Sequence, residues 1–151
     1  MIKRALSRAT ALAGGTAATL AVTALLAAPA QATTTVWNTW DNLAYANQCL
    51  DGSASQGVRL NTCNGSTYQK WDYFWDASAQ IRHYQSGRCL DGSVTQGVRL
   101  VACNGSSYQK WRPTGTTGEI RHVQSGRCLD GSATQGVRLV ACNGGIYQQW
   151  V

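Results

Sequence analysis

The chain repeats itself three times, and this periodicity restricts its fold more than any other feature. Cys49-Leu50-Asp51-Gly52-Ser53 returns as Cys89-Leu90-Asp91-Gly92-Ser93 and again as Cys128-Leu129-Asp130-Gly131-Ser132, at offsets of 40 and 39 residues. Each copy continues with Gln-Gly-Val-Arg-Leu from Gln56, Gln96 and Gln135, then Cys-Asn-Gly from Cys63, Cys103 and Cys142, and closes on Trp71, Trp111 or Trp150. The repeats run approximately over 33–71, 72–111 and 112–151.

Inside a copy the apolar runs are brief and separated by Gly, Ser and Asn. Ile81 to Tyr84, Arg88 to Asp91, Gly97 to Val101 and Gln109 to Arg112 read as four short strands. No window beyond the first 32 residues has a helical period. Three units of four strands make twelve, and a stack of such units would need protective end caps that this chain does not carry. Closure around a pseudo-threefold axis removes that need, so an all-β closed architecture is expected.

Residues 1–32 have the pattern of a secretory signal peptide. Lys3, Arg4 and Arg8 precede an uncharged run, and Ala30-Gln31-Ala32 offers a cleavage site. The run is diluted by Gly and Thr, unlike a membrane anchor. Without this segment ten Lys and Arg face seven Asp and Glu, a net charge of +3 rather than +6. So small an excess, spread over three copies, does not make the clustered basic face of a nucleic-acid binder. The mature chain is expected to be secreted, with no membrane span.

Six cysteines in an exported chain point to disulfides. They allow fifteen pairings, but every copy holds two at a separation of 14 residues. Pairing within copies follows: Cys49 to Cys63, Cys89 to Cys103, Cys128 to Cys142. Each would close a 15-residue loop worth about 3 kcal/mol. There is no C-x-x-C, and His83 and His122 lie a repeat apart, so no metal site is expected. If paired cysteines face each other across a hairpin, counting inward sets Asp51 opposite Asn61, Asp91 opposite Val101 and Asp130 opposite Val140. Leu50, Val58 and Leu60 then point to the core and each acid points outward. Arg59, Arg99 and Arg138 read as solvated strand charges. Asn64-Gly65 and Asn104-Gly105 match glycosylation acceptors but read first as tight turns, since Asn143-Gly144-Gly145 keeps only the turn.

The Ser-Gly-x-Cys-Leu-Asp runs, the Val-x-Leu strands with their second Cys and the closing Gln69-Lys70-Trp71, Gln109-Lys110-Trp111 and Gln148-Gln149-Trp150 resemble the ricin B-type lectins and the related family 13 carbohydrate-binding modules. The likeness spans about Tyr45 to Val151. It implies a β-trefoil of twelve short strands with Trp71, Trp111 and Trp150 in the core and one shallow sugar pocket per repeat. In those pockets Asp51, Asp91 and Asp130 would accept sugar hydroxyls, steadied by Gln69, Gln109 and Gln148. An ionised carboxylate accepts without donating, which suits two adjacent O–H groups. Relatives usually place an aromatic ring before the second Cys, where this chain has Asn61, Val101 and Val140. Tyr68, Tyr108 and Tyr147, standing where relatives often have Asn, are expected to supply the ring, with Asn61 a further contact in the first copy.

Catalysis is not expected. Glycoside hydrolysis needs two carboxylates flanking one bond, yet Glu119 is the single Glu and Asp41, Asp72 and Asp76 fall in connecting segments. No nucleophile has an oriented base. A secreted lectin without cofactor follows, acting alone or as the recognition subunit of a separately encoded secreted enzyme or toxin. The competing reading is a non-catalytic trefoil that binds a protein, as a protease inhibitor or adaptor.

Overall fold

The computed structural model describes residues 37–73 and 79–151; residues 1–32, expected to be a signal peptide, and Asp76 lie outside them. The first copy contributes β1 (Gln48–Ser53), β2 (Gly57–Thr62) and β3 (Trp71–Tyr73). The second contributes β4 (Ile81–His83), β5 (Cys89–Ser93), β6 (Gly97–Val101) and β7 (Trp111–Pro113), and the third β8 (Ile120–His122), β9 (Cys128–Ser132) and β10 (Gly136–Val140). Among the described residues ten strands therefore stand where twelve positions were expected. The other two positions are held by isolated bridges, Asp41 to Cys49 and Asn42 to Trp150.

The last strand position of each copy pairs with the first of another, which is how three similar units become one body. Trp71 lies opposite His83 and Trp111 opposite His122. Trp150 lies opposite Asn42, so the third copy closes onto the first. Asp41 and Val151 exchange backbone hydrogen bonds of 2.8 and 3.0 Å at this seam. Beneath the ring, β2, β6 and β10 approach one another about the axis. Leu50, Leu90, Leu129 and the three repeat tryptophans fill the core, with Val58 and Leu60 partly buried against it. Each indole N–H donates to the carbonyl of the leucine in its own copy: Trp71 to Leu50 and Trp111 to Leu90 at 2.9 Å, Trp150 to Leu129 at 3.0 Å. A buried indole thus keeps its polar tip satisfied. Among the described residues no helix is long and apolar enough to cross a membrane.

The three disulfides join the cysteines of each copy as the spacing predicts, but the hairpin register differs from the count based on them. Asp51 pairs with Arg59, not Asn61, Asp91 with Arg99, not Val101, and Asp130 with Arg138, not Val140. The turn sets this register. Ser53 Oγ accepts the N–H groups of Ser55 and Gln56, and Gly57 follows at φ +74°, so Ser53 lies opposite Gly57. A left-handed residue at that point is open to glycine at little steric cost. Cys63 then falls beyond the end of β2, and the disulfide runs diagonally to Cys49, whose ladder partner is Asn61. In Asp-Gly-Ser the serine, not the aspartate, caps the turn.

The residue beside each disulfide breaks the threefold symmetry. Asp41 Oδ1 lies 2.6 Å from Cys49 Sγ and 3.2 Å from Cys63 Sγ. The equivalent residues are cations: Arg82 opposite Cys89, lining an open hollow with Cys103, and Arg121 opposite Cys128, where the Glu119 carboxylate also lies within 4.8 Å of both sulfurs. Reduction begins with thiolate attack on sulfur, so an adjacent carboxylate repels the reagent and an adjacent guanidinium attracts it. Limited treatment of the native protein with a small thiol should open Cys89–Cys103 first and Cys49–Cys63 last. Differential alkylation and peptide mass mapping reads the order; Cys49–Cys63 opening first would refute the electrostatic account.

Candidate functional site

The repeated acids are buried, contrary to the outward placement expected from the sequence. Asp51 is 1% exposed, and Asp91 and Asp130 are each 4% exposed. They sit on the hairpin face opposite the core leucines, as strand alternation requires, but the arginine paired with each folds over it. Arg59 Nη2 lies 3.0 Å from Asp51 Oδ1 and Arg99 Nη2 lies 3.1 Å from Asp91 Oδ1. Neither contact is a well-directed hydrogen bond. In the third copy the alignment is better, and Arg138 Nε donates to Asp130 Oδ1 at 3.0 Å. These arginines are therefore the covers of three buried carboxylates and not free solvated charges. A sugar hydroxyl reaches a carboxylate only after its arginine has moved.

Asn61 Nδ2 reaches Asp51 Oδ2 at 3.5 Å, a weak contact found in the first copy alone. Gln69, Gln109 and Gln148 do not steady the acids. Gln69 Oε1 accepts the Asn64 N–H at 2.9 Å and its amide donates to the Thr62 carbonyl at 2.8 Å. Gln109 and Gln148 repeat both bonds in their own copies. All three are fully buried. The Cys-Asn-Gly segment leaves the ladder and needs partners for its backbone polar groups, and a glutamine amide supplies one donor and one acceptor. Asn64, Asn104 and Asn143 each accept the N–H two residues on, with left-handed glycines between, which is the tight turn that the Asn-Gly pairs predict.

Tyr68, Tyr108 and Tyr147 are 44%, 43% and 48% exposed, as a ring that meets a ligand must be. Tyr68 borders a hollow with Ser53, Ser55 and the Gln85-Ser86 loop of the second copy. Tyr108 borders one with Ser93, Thr95, Gln96 and Arg99. Hydroxyls of the hairpin turn, an aromatic ring and, in the second copy, a guanidinium thus converge at the surface. The arrangement suits hydrogen bonding to a polyol with its C–H face against the ring.

Behind each tyrosine is a feature that the sequence comparison passes over. His83 Nε2 lies 3.0 Å from the Tyr68 carbonyl and His122 Nε2 3.0 Å from that of Tyr108. With a carbonyl at one ring nitrogen and a serine hydroxyl at the other, the neutral tautomer carries its proton on Nε2. Burial lowers the pKa of both histidines below the usual imidazole value; the Tyr carbonyls and, respectively, Asp51 and Asp91 oppose that shift. The sequence shows no histidine at the matching place of the first copy. The structure supplies the counterpart as Asn42, whose Nδ2 donates to the Tyr147 carbonyl at 3.0 Å. One donor to each tyrosine carbonyl is the conserved physical requirement of the ring, met by two residue types.

Comparison with known proteins agrees with this fold. The family model of the ricin-type beta-trefoil lectin domain matches residues 37–150. No curated protein sequence matches the chain. Among solved structures it is similar to GalNAc-T7 with UDP, GalNAc and Mn2+ (22% identity, TM-score 0.63) and to the hemolytic lectin CEL-III (23%, 0.65). It is also similar to ThreeFoil, a designed 3-fold symmetric protein (20%, 0.64). Each match covers 76% of this chain, but only 22% of the GalNAc-T7 chain and 29% of CEL-III, against 95% of ThreeFoil. At these identities the likeness shows the fold.

Proposed function

Because this chain belongs to the ricin-type beta-trefoil lectin domain family, we propose that it is a secreted lectin that binds glycan hydroxyls at up to three related hollows. The observation that carries the reading is a tyrosine partly exposed in every copy. A sugar would lay its C–H face on Tyr68, Tyr108 or Tyr147 and direct its hydroxyls to the hairpin turn. In the second copy Arg99 stands at the hollow's wall, with its unused N–H groups available to sugar oxygens. The buried acids act at one remove, fixing the arginines.

Single hollows this shallow would bind weakly. Three on one rigid body gain from multivalency on a polysaccharide or a glycan-coated surface. The acidic groups are spent on ion pairs or are scattered, so the role is recognition and not catalysis, either alone or for a separately encoded secreted enzyme or toxin.

Tyr68, Tyr108 and Tyr147 changed together to Ala should leave the folded protein intact and abolish its retention on glycan arrays. Each substitution removes the ring face from its site, and the losses multiply on a multivalent surface. Unchanged array binding by the triple variant would reject the platform role. Failure of the native protein to bind any glycan, with specific capture of a protein partner, would favour the inhibitor or adaptor reading.

A further inference from the structure

The hollow where the third copy meets the first differs from the other two in its loop. The loop from Asn42 to the left-handed Asn47 is one residue longer than the equivalent His83–Gly87 and His122–Gly126 loops. The extra length brings Tyr45 across the seam to the third copy, where its hydroxyl accepts the Ala133 N–H at 3.1 Å. Its ring also packs on Tyr147, with centroids 5.8 Å apart. Between this ring and the β1–β2 hairpin lies a hollow of about 630 Å3, within the ordinary range for small-ligand sites. Tyr45 and Leu60 give it apolar walls, Gln48 and Ser132 offer polar groups, and Arg59 is the one charged residue lining it.

We propose that this seam hollow binds an acidic sugar, a pyranose that carries a carboxylate. Arg59 is a preformed anion receptor. Asp51, on its buried side, lies 3.0 Å from one terminal nitrogen and leaves the other N–H donors for a second carboxylate. A guanidinium presents five such donors in a rigid fork suited to bidentate carboxylate binding. Asp51 lies behind Arg59, and no acidic side chain lines the hollow itself. Tyr45, held at its hydroxyl and against Tyr147, offers a ring to the sugar's C–H face. Gln48 and Ser132 answer the ring hydroxyls. The proposal extends beyond the hollows at Tyr68 and Tyr108 and stands whether or not they bind neutral glycans.

Titration calorimetry of the secreted protein with glucuronate, glucose and acetate at constant ionic strength tests it. Glucuronate should bind at least tenfold more tightly than glucose, and acetate should give no measurable heat. Arg59→Lys keeps a cation over Asp51 but loses the fork, and should weaken glucuronate at least tenfold. Ala46→Trp, at an exposed position on the hollow's rim, should block glucuronate while array binding of neutral glycans is kept. Absence of glucuronate binding, equal affinity for glucose or acetate, or full affinity in Ala46→Trp would each overturn the proposal. Loss of neutral-glycan binding alone would count against the tyrosine hollows and leave the seam assignment intact.

Discussion

Trp111→Ala should lower stability by about 4 kcal/mol, within the range of roughly 3–5 kcal/mol for removing a buried tryptophan. The indole is fully buried, holds the Leu90 carbonyl at 2.9 Å and packs on His122 with ring centroids 4.7 Å apart. Truncation therefore opens a cavity and also strands a buried carbonyl, two costs that act together. For a domain of this size the shift in thermal midpoint is on the order of 15 °C. Gly92 offers an internal check. A Cβ built there would lie 2.9 Å from the far edge of the same indole, so Gly92→Ala overpacks a filled site at a cost of about 1–3 kcal/mol. In the double variant the new methyl enters space that the indole has vacated, and the combined loss should be smaller than the sum. Calorimetric unfolding of the three variants measures both effects. A loss below about 1 kcal/mol for Trp111→Ala, or simple additivity, would show that the ring is not the packing centre of its copy.

The features legible in the sequence are those that three copies repeat as identical letters: the closed threefold architecture, the disulfide pairing within copies, and tryptophans too regular to be incidental. The hairpin register was not legible from the cysteines, because Cys63 lies past the end of its strand and bonds diagonally. The better signal was the Ser-x-x-Gln-Gly turn, whose serine cap and left-handed Gly57 set Asp51 against Arg59. With that register the cover over each acid could have been foreseen, since opposite charges directly across a hairpin attract. The role of Gln69 was hidden for another reason. Its amide completes backbone bonding in a segment with no regular structure, and spacing alone does not reveal where such a segment turns. The Tyr45 seam depends on one additional loop residue, which an aligned repeat pattern treats as noise.

The equivalence of Asn42 with His83 and His122 leads to a second large effect, in the pH dependence of stability. In the native state burial holds both imidazoles below their ordinary pKa, and each neutral ring donates from Nε2 to a tyrosine carbonyl. In the unfolded chain they titrate near 6.5. Above that value both states are neutral at these sites and the full stability is present. As pH falls below it, the unfolded chain takes up protons that the native state does not yet accept, and stability declines until the lower native values are reached. The slope is at most about 1.4 kcal/mol per pH unit for each histidine, so the pair can contribute nearly 3 kcal/mol per unit where both act. His83→Asn with His122→Asn copies the arrangement that Asn42 already makes to Tyr147, with a donor that does not titrate. The double variant should be less stable at pH 8, because it loses two rings packed on Trp71 and Trp111. Its stability should nonetheless fall less than that of the native protein as pH drops below about 6.5. Urea midpoints on both sides of that value measure the difference, and parallel curves for the two proteins would show that acid sensitivity arises elsewhere. Asn42→His should act in the opposite sense and steepen the decline, its ring lying beside Gly131 as that of His83 lies beside Gly52.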